Sequence, residues 1–129
     1  MSKISVDIVW FKRDLRIFDN IPLSRASENG TVLPLFIFEP ELWKEPDHSY
    51  RHYIFLKDSL ADLNRQLKTI GANLVVLVGS AVDIFDSLNS KHQINNIYSH
   101  QETWSLWTHN RDKAVRSWAR DNKIKWIET

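Results

Sequence analysis

Five short β-rich runs punctuate the chain, each separated from the next by a stretch of helical character. They are Ser5–Trp10, Thr31–Phe38, Asn73–Val78, Asn96–Ser99 and Ile124–Ile127. The second and third are almost unbroken in apolar residues, the pattern of strands covered on both faces. Between them Leu56, Leu60, Leu63, Leu67 and Ile70 recur at helical spacing and draw one apolar stripe, which predicts a helix. Gly71 ends it. Ser80 is placed to cap a short helix carrying Val82, Ile84, Phe85 and Leu88. A further helix, from Ser105 to Asn122, sets Trp107, Arg111, Ala114, Val115 and Trp118 along one side. Asn20-Ile21-Pro22 reads as the cap and first turn of the earliest helix, with Gly30 near its end.

Such alternation means an open parallel sheet with right-handed crossovers and helices on both faces. There is no internal repeat or low-complexity segment, and the only long irregular stretches are 11–19 and 39–49. Ligands of open parallel sheets gather at the C-terminal ends of the strands. Those ends carry Phe11-Lys12-Arg13-Asp14-Leu15-Arg16, Glu39-Pro40, Gly79-Ser80 and His100-Gln101-Glu102. The first and the last are the most polar.

Composition narrows the picture by exclusion. With 129 residues the chain is one domain, and 43% apolar content excludes wholesale disorder. Seventeen basic against 16 acidic residues leave a net charge of +1, giving no bulk attraction to nucleic acid or an anionic membrane. No cysteine is present, so disulfides, thiolate metal sites and cysteine nucleophiles are excluded. The sequence has neither an apolar run of membrane-spanning length nor a signal-peptide core. The expected location is the cytoplasm, or the nucleus or an organelle in a eukaryote.

With only three glycines and no glycine-rich phosphate turn, a pyrophosphate grip of the NAD or P-loop kind is not expected. No nucleophile elbow appears either. His48, His52, His92, His100 and His109 lack metal-ligand spacing and read as surface residues, so no metal is expected. The six tryptophans read as core or interface packing. Arg111, Lys113, Arg116 and Arg120, with Lys123 and Lys125 beyond, read mostly as a solvated face. Segment 11–20 carries the most information. Lys12, Arg13 and Arg16 alternate with Asp14 and Asp19 directly after a buried strand. Two readings stay open: a self-neutralising salt-bridge network bracing the loop, or a fork of cations facing an anionic ligand or a partner domain.

The run Val9-Trp10-Phe11-Lys12-Arg13-Asp14-Leu15-Arg16-Ile17-Phe18-Asp19-Asn20 resembles the opening signature of the DNA photolyase/cryptochrome family, W-F-R-x-D-L-R-x-x-D-N, with Lys12 in place of the common arginine. Collinear matches follow. Phe36-Ile37-Phe38-Glu39-Pro40 resembles the family's second strand, and Arg51 to Leu60 its R-x-x-F-L-x-x-S-L helix. Gly71 to Gly79 is similar to its third strand, and Arg111-Asp112 to the R-D of its fourth helix. The resemblance implies a three-layer α/β/α sandwich over residues 1–129, with a five-stranded, Rossmann-like parallel sheet in the order 3-2-1-4-5. It also implies that this is the N-terminal, antenna-binding and structural domain of a photolyase or cryptochrome-like flavoprotein. The family's C-terminal helical domain, which holds FAD and docks damaged DNA, would be absent from this chain and would be its partner.

By the same resemblance, an antenna chromophore of the FMN, deazaflavin or folate type would use Lys12, Arg13, Phe36, Glu39, Arg51 and Glu102. Arg13, Glu39, Arg51 and Glu102 are then expected to converge on a cavity with Phe36 as a wall. Two departures bear on that cavity: His100 stands where many members have an acid, and Trp104 takes space beside it. DNA would be met only through the whole protein, and the domain alone is expected to have no lyase activity and no catalytic residues. The alternative is a free-standing flavodoxin-like nucleotide-binding or signalling domain without photochemistry.

Overall fold

The computed structural model describes residues 4–12, 31–44, 50–101 and 105–129, with the backbone alone at 50–53. The expected first helix, Asn20 to Gly30, lies outside the described residues. In chain order the elements are β1 (Ser5–Phe11), β2 (Val32–Phe38), α1 (Pro40–Trp43), α2 (Tyr50–Lys68), β3 (Val75–Val78), α3 (Ala81–Lys91), β4 (Gln93–Ser99), α4 (Leu106–Asp121) and β5 (Lys125–Glu128). All four strand pairings are parallel, and the sheet order is β3-β2-β1-β4-β5. The fold and strand order expected from the sequence are those observed.

Side-chain alternation along the strands splits the interior in two. Ile8, Trp10, Leu35, Ile37, Ile94 and Ile97 face α3 and α4, packing with Phe85, Leu88, Val115, Trp118 and Ala119. Val9, Phe11, Phe36 and Tyr98 face α2, against Leu63 and Leu67. The leucine stripe of α2 is therefore real, but Ile70 falls beyond the helix end and is 59% exposed.

Local chemistry sets the helix ends. Ser80 Oγ accepts from the Asp83 N–H and caps α3. Ser105 and Thr108 form a reciprocal capping box at the start of α4. Both α2 and α4 end in the same left-handed turn. Gly71, at φ 80°, precedes the Ala72 N–H bond to the Leu67 carbonyl. Lys123, at φ 59°, precedes the Ile124 N–H bond to the Ala119 carbonyl.

Three expectations are corrected. The fourth strand begins at Gln93 rather than Asn96, because Ile94 and Ile97 face the core while Gln93 and Asn95 alternate outward. The third run is not covered on both faces: β3 is an edge strand, and Val76 and Val78 are exposed. Along α4, Ala114 is exposed and Arg111 is buried, so the inward stripe is Thr108, Arg111, Asp112, Val115, Trp118 and Ala119. Arg111 thus does not belong to the solvated face, where Lys113, Arg116 and Arg120 do lie.

Candidate functional site

The C-terminal ends of β1 and β2 deliver Lys12 and Glu39 to one edge of the sheet, and α4 lays Arg111 and Asp112 across them. The Lys12 ammonium donates to both carboxylate oxygens of Asp112, at 3.3 and 3.2 Å. Arg111 Nη1 donates to Glu39 Oε1 at 3.3 Å, and Arg111 Nε lies 3.1 Å from Asp112 Oδ1. Among the described residues the chain of charges runs Lys12–Asp112–Arg111–Glu39, two cations against two anions. None of the four side chains is more than 7% exposed. Burying four charges is costly, and the arrangement is tolerated because each charge faces an opposite one at hydrogen-bonding range.

Tryptophans form its floor. Lys12 Nζ lies 4.3 Å from the Trp10 ring centroid and 5.0 Å from that of Trp126. The Arg111 guanidinium sits 4.9 Å from Trp10 and 5.6 Å from Trp107. Trp10 and Trp126 are 5.7 Å apart, and Phe85 meets Trp10 edge-on at 5.0 Å. Cations over indole faces in a buried setting add attraction that no ion pair accounts for. Trp118, one layer below, stacks on Phe85 and donates its indole N–H to Asp86.

Of the six residues expected around a cavity, Lys12 and Glu39 are thus joined in one network, through Arg111 and Asp112. Phe36 lies on the other side of the sheet, packed with Leu63 and Leu67 and 6% exposed. Arg13 and Glu102 lie outside the described residues, as does Trp104; Arg51 is in the first turn of α2, of which the backbone alone is described. Arg111 and Asp112 are the members that sequence reasoning left out of the site. The signal was present: a charged residue between Trp107 and Val115 on an apolar stripe requires a buried counter-charge.

Elsewhere a polar concavity of about 570 Å³ opens at the opposite edge, where α3 and α4 end, lined by Asn89, His92, Asn95, Asn122 and Lys123 among others. No group of acids and histidines among the described residues could hold a metal ion. No helix among them is long and apolar enough to cross a membrane.

Sheet order, three layers and a charged C-terminal edge define an open parallel α/β domain. The sequence profile of the DNA photolyase family matches residues 7–129, and the chain belongs to that family. It is 33% identical over 129 residues to cryptochrome-1 of Aedes aegypti, covering 95% of this chain and 24% of that protein. Its backbone superimposes on a bacterial class III photolyase from Agrobacterium tumefaciens with a TM-score of 0.82 at 28% identity, covering 99% of this chain and 26% of that one. A cryptochrome from Synechocystis shares the fold, with a TM-score of 0.86 at 20% identity over 99% of this chain and 28% of that one. The chain therefore spans about a quarter of the length of these relatives and corresponds to the family's N-terminal α/β domain.

Proposed function

We propose that this chain is the antenna-bearing and structural domain of a light-driven flavoprotein, photolyase or cryptochrome-like, that acts with a C-terminal helical domain holding FAD. The observation that carries the reading is the match to a bacterial photolyase over 99% of this chain. In such a protein, light absorbed by an antenna chromophore passes to reduced FAD, which donates an electron to a pyrimidine dimer in DNA. DNA is met through the helical domain, since a net charge of +1 gives this domain little hold on a phosphate backbone. The proposed setting is the cytoplasm, or the nucleus or an organelle in a eukaryote.

An antenna of the FMN, deazaflavin or folate type would lie at the C-terminal edge of the sheet. Among the described residues, Lys12 and Glu39 stand at that edge within the buried charge network, while Phe36 is packed against Leu63 and Leu67 on the α2 side of the sheet. The polar contacts to a chromophore's edge and tail then fall to Arg13, Arg51 and Glu102. Titration with FMN and with a deazaflavin, followed by fluorescence, tests the assignment. Saturable binding that weakens tenfold or more in Arg51→Ala and Glu102→Ala is expected. No binding of either flavin or of a reduced folate would overturn the antenna role and leave the domain a structural one.

A further inference from the structure

Lys12 closes β1, and its side chain lies in a compartment built by other elements. Two walls are indole faces, from Trp10 on β1 and Trp126 on β5, tilted 40° to each other with centroids 5.7 Å apart. Each ring is fixed without help from Lys12. Phe85 braces Trp10 edge-on, and the Trp126 indole N–H donates to Ser99 Oγ at 2.9 Å. The third wall is the Asp112 carboxylate on α4, also held by Arg111. On the outer side, Arg116 covers the Trp126 ring at 5.0 Å and is tied to Glu128 at 2.6 Å.

We infer that Trp10, Trp126 and Asp112 form a cage for an alkylammonium ion, and that the cage is filled in cis by the side chain of Lys12. The ammonium sits 4.3 and 5.0 Å from the two ring centroids and 3.2 Å from the carboxylate. Indole faces carry the negative side of the ring quadrupole, so they favour a cation and disfavour an anion or a neutral dipole in the same place. The carboxylate adds charge-assisted hydrogen bonds that only a protonated amine can satisfy. A phosphate or carboxylate ligand at Lys12 would have to compete with the Asp112 carboxylate and the two indole faces for its ammonium. Lys12 is therefore a plug that ties the start of the connection after β1 to α4 and β5, and not a contact for an anionic ligand. This rests on the geometry of the cage and not on the antenna reading.

Chemical rescue tests it. Lys12→Ala empties the cage, and thermal unfolding of the variant is followed against added propylammonium chloride. Sodium chloride at equal ionic strength and 1-propanol serve as controls. The expected result is a melting temperature below wild type that rises saturably with propylammonium, half-maximal on the order of 10 mM for a ligand of this size. The wild type and Lys12→Met, whose thioether fills the space without charge, should not respond. If Lys12→Ala does not fold unaided, its refolding yield is read against the same additives with the same expectation. Recovery no greater with propylammonium than with salt or propanol overturns the proposal, and so does a Lys12→Ala melting temperature equal to wild type.

Discussion

Asp112→Asn is the sharpest test of the buried charge network, because it removes one charge with almost no change in shape. Lys12, with 4% of its side chain exposed, would then lose its carboxylate partner on α4. Removing one partner of a buried pair costs about 3–5 kcal/mol, since the remaining charge stays desolvated. Against a total stability of roughly 5–15 kcal/mol for a domain, that is about a fifth or more of the margin. For a chain of this length it corresponds to a fall in Tm of about 10–20 °C. The companion variant is Lys12→Met with Asp112→Leu, which removes both charges and leaves the neutral Arg111–Glu39 pair at 3.3 Å. A methionine thioether over the two indoles replaces part of the cation–π attraction, worth about 0.3–1.5 kcal/mol. The double variant should therefore lie within about 1–2 kcal/mol of wild type and well above Asp112→Asn. Urea unfolding of the three proteins gives the comparison directly, because all should share one slope. A loss below about 1 kcal/mol in Asp112→Asn, the scale of exposed ion pairs, would refute the reasoning. A double variant no more stable than the single one would refute it equally.

Lys123→Gly should raise stability by about 1 kcal/mol, because Lys123 holds φ 59° at the end of α4 where Gly71 does the same work for α2. Urea midpoints of the variant and wild type check it, and an unchanged midpoint would mean the turn carries no strain. Leu63→Ala should cost roughly 2–5 kcal/mol, since Leu63 is fully buried between α2 and the sheet. A denaturation midpoint within error of wild type would place the stripe elsewhere.

The sheet was legible because its strands alternate with helices and their apolar runs are short and distinct. Where the pattern failed, a specific force explains it. Gln93, Asn95 and Asn96 give the first half of β4 a polar composition, yet Ile94 and Ile97 suffice to hold it against the core. Val76 and Val78 look like interior strand residues, and nothing in the run says that β3 lies at the edge. The charged edge was half legible. Lys12 and Glu39 stand out because they follow apolar strands, but their partners sit 100 and 72 residues away on α4. Its spacing sets Arg111 on the inward side of that helix, and its charge sets it among the surface residues. Only the packing of Trp10 and Trp107 against its guanidinium decides between the two. Pairing at such sequence distance follows from topology, and a buried ion network uses the same residue types as an open binding site.

The functional account is tested most directly by light-driven reversal of a cyclobutane pyrimidine dimer in an oligonucleotide. The assay supplies reduced FAD and compares this 129-residue chain alone with the same chain joined to the helical FAD domain of a photolyase. The account predicts no reversal by the chain alone above the rate in buffer, and light-dependent reversal by the joined protein. Reversal by the chain alone would contradict it, because the electron donor and the dimer pocket are assigned to the partner domain.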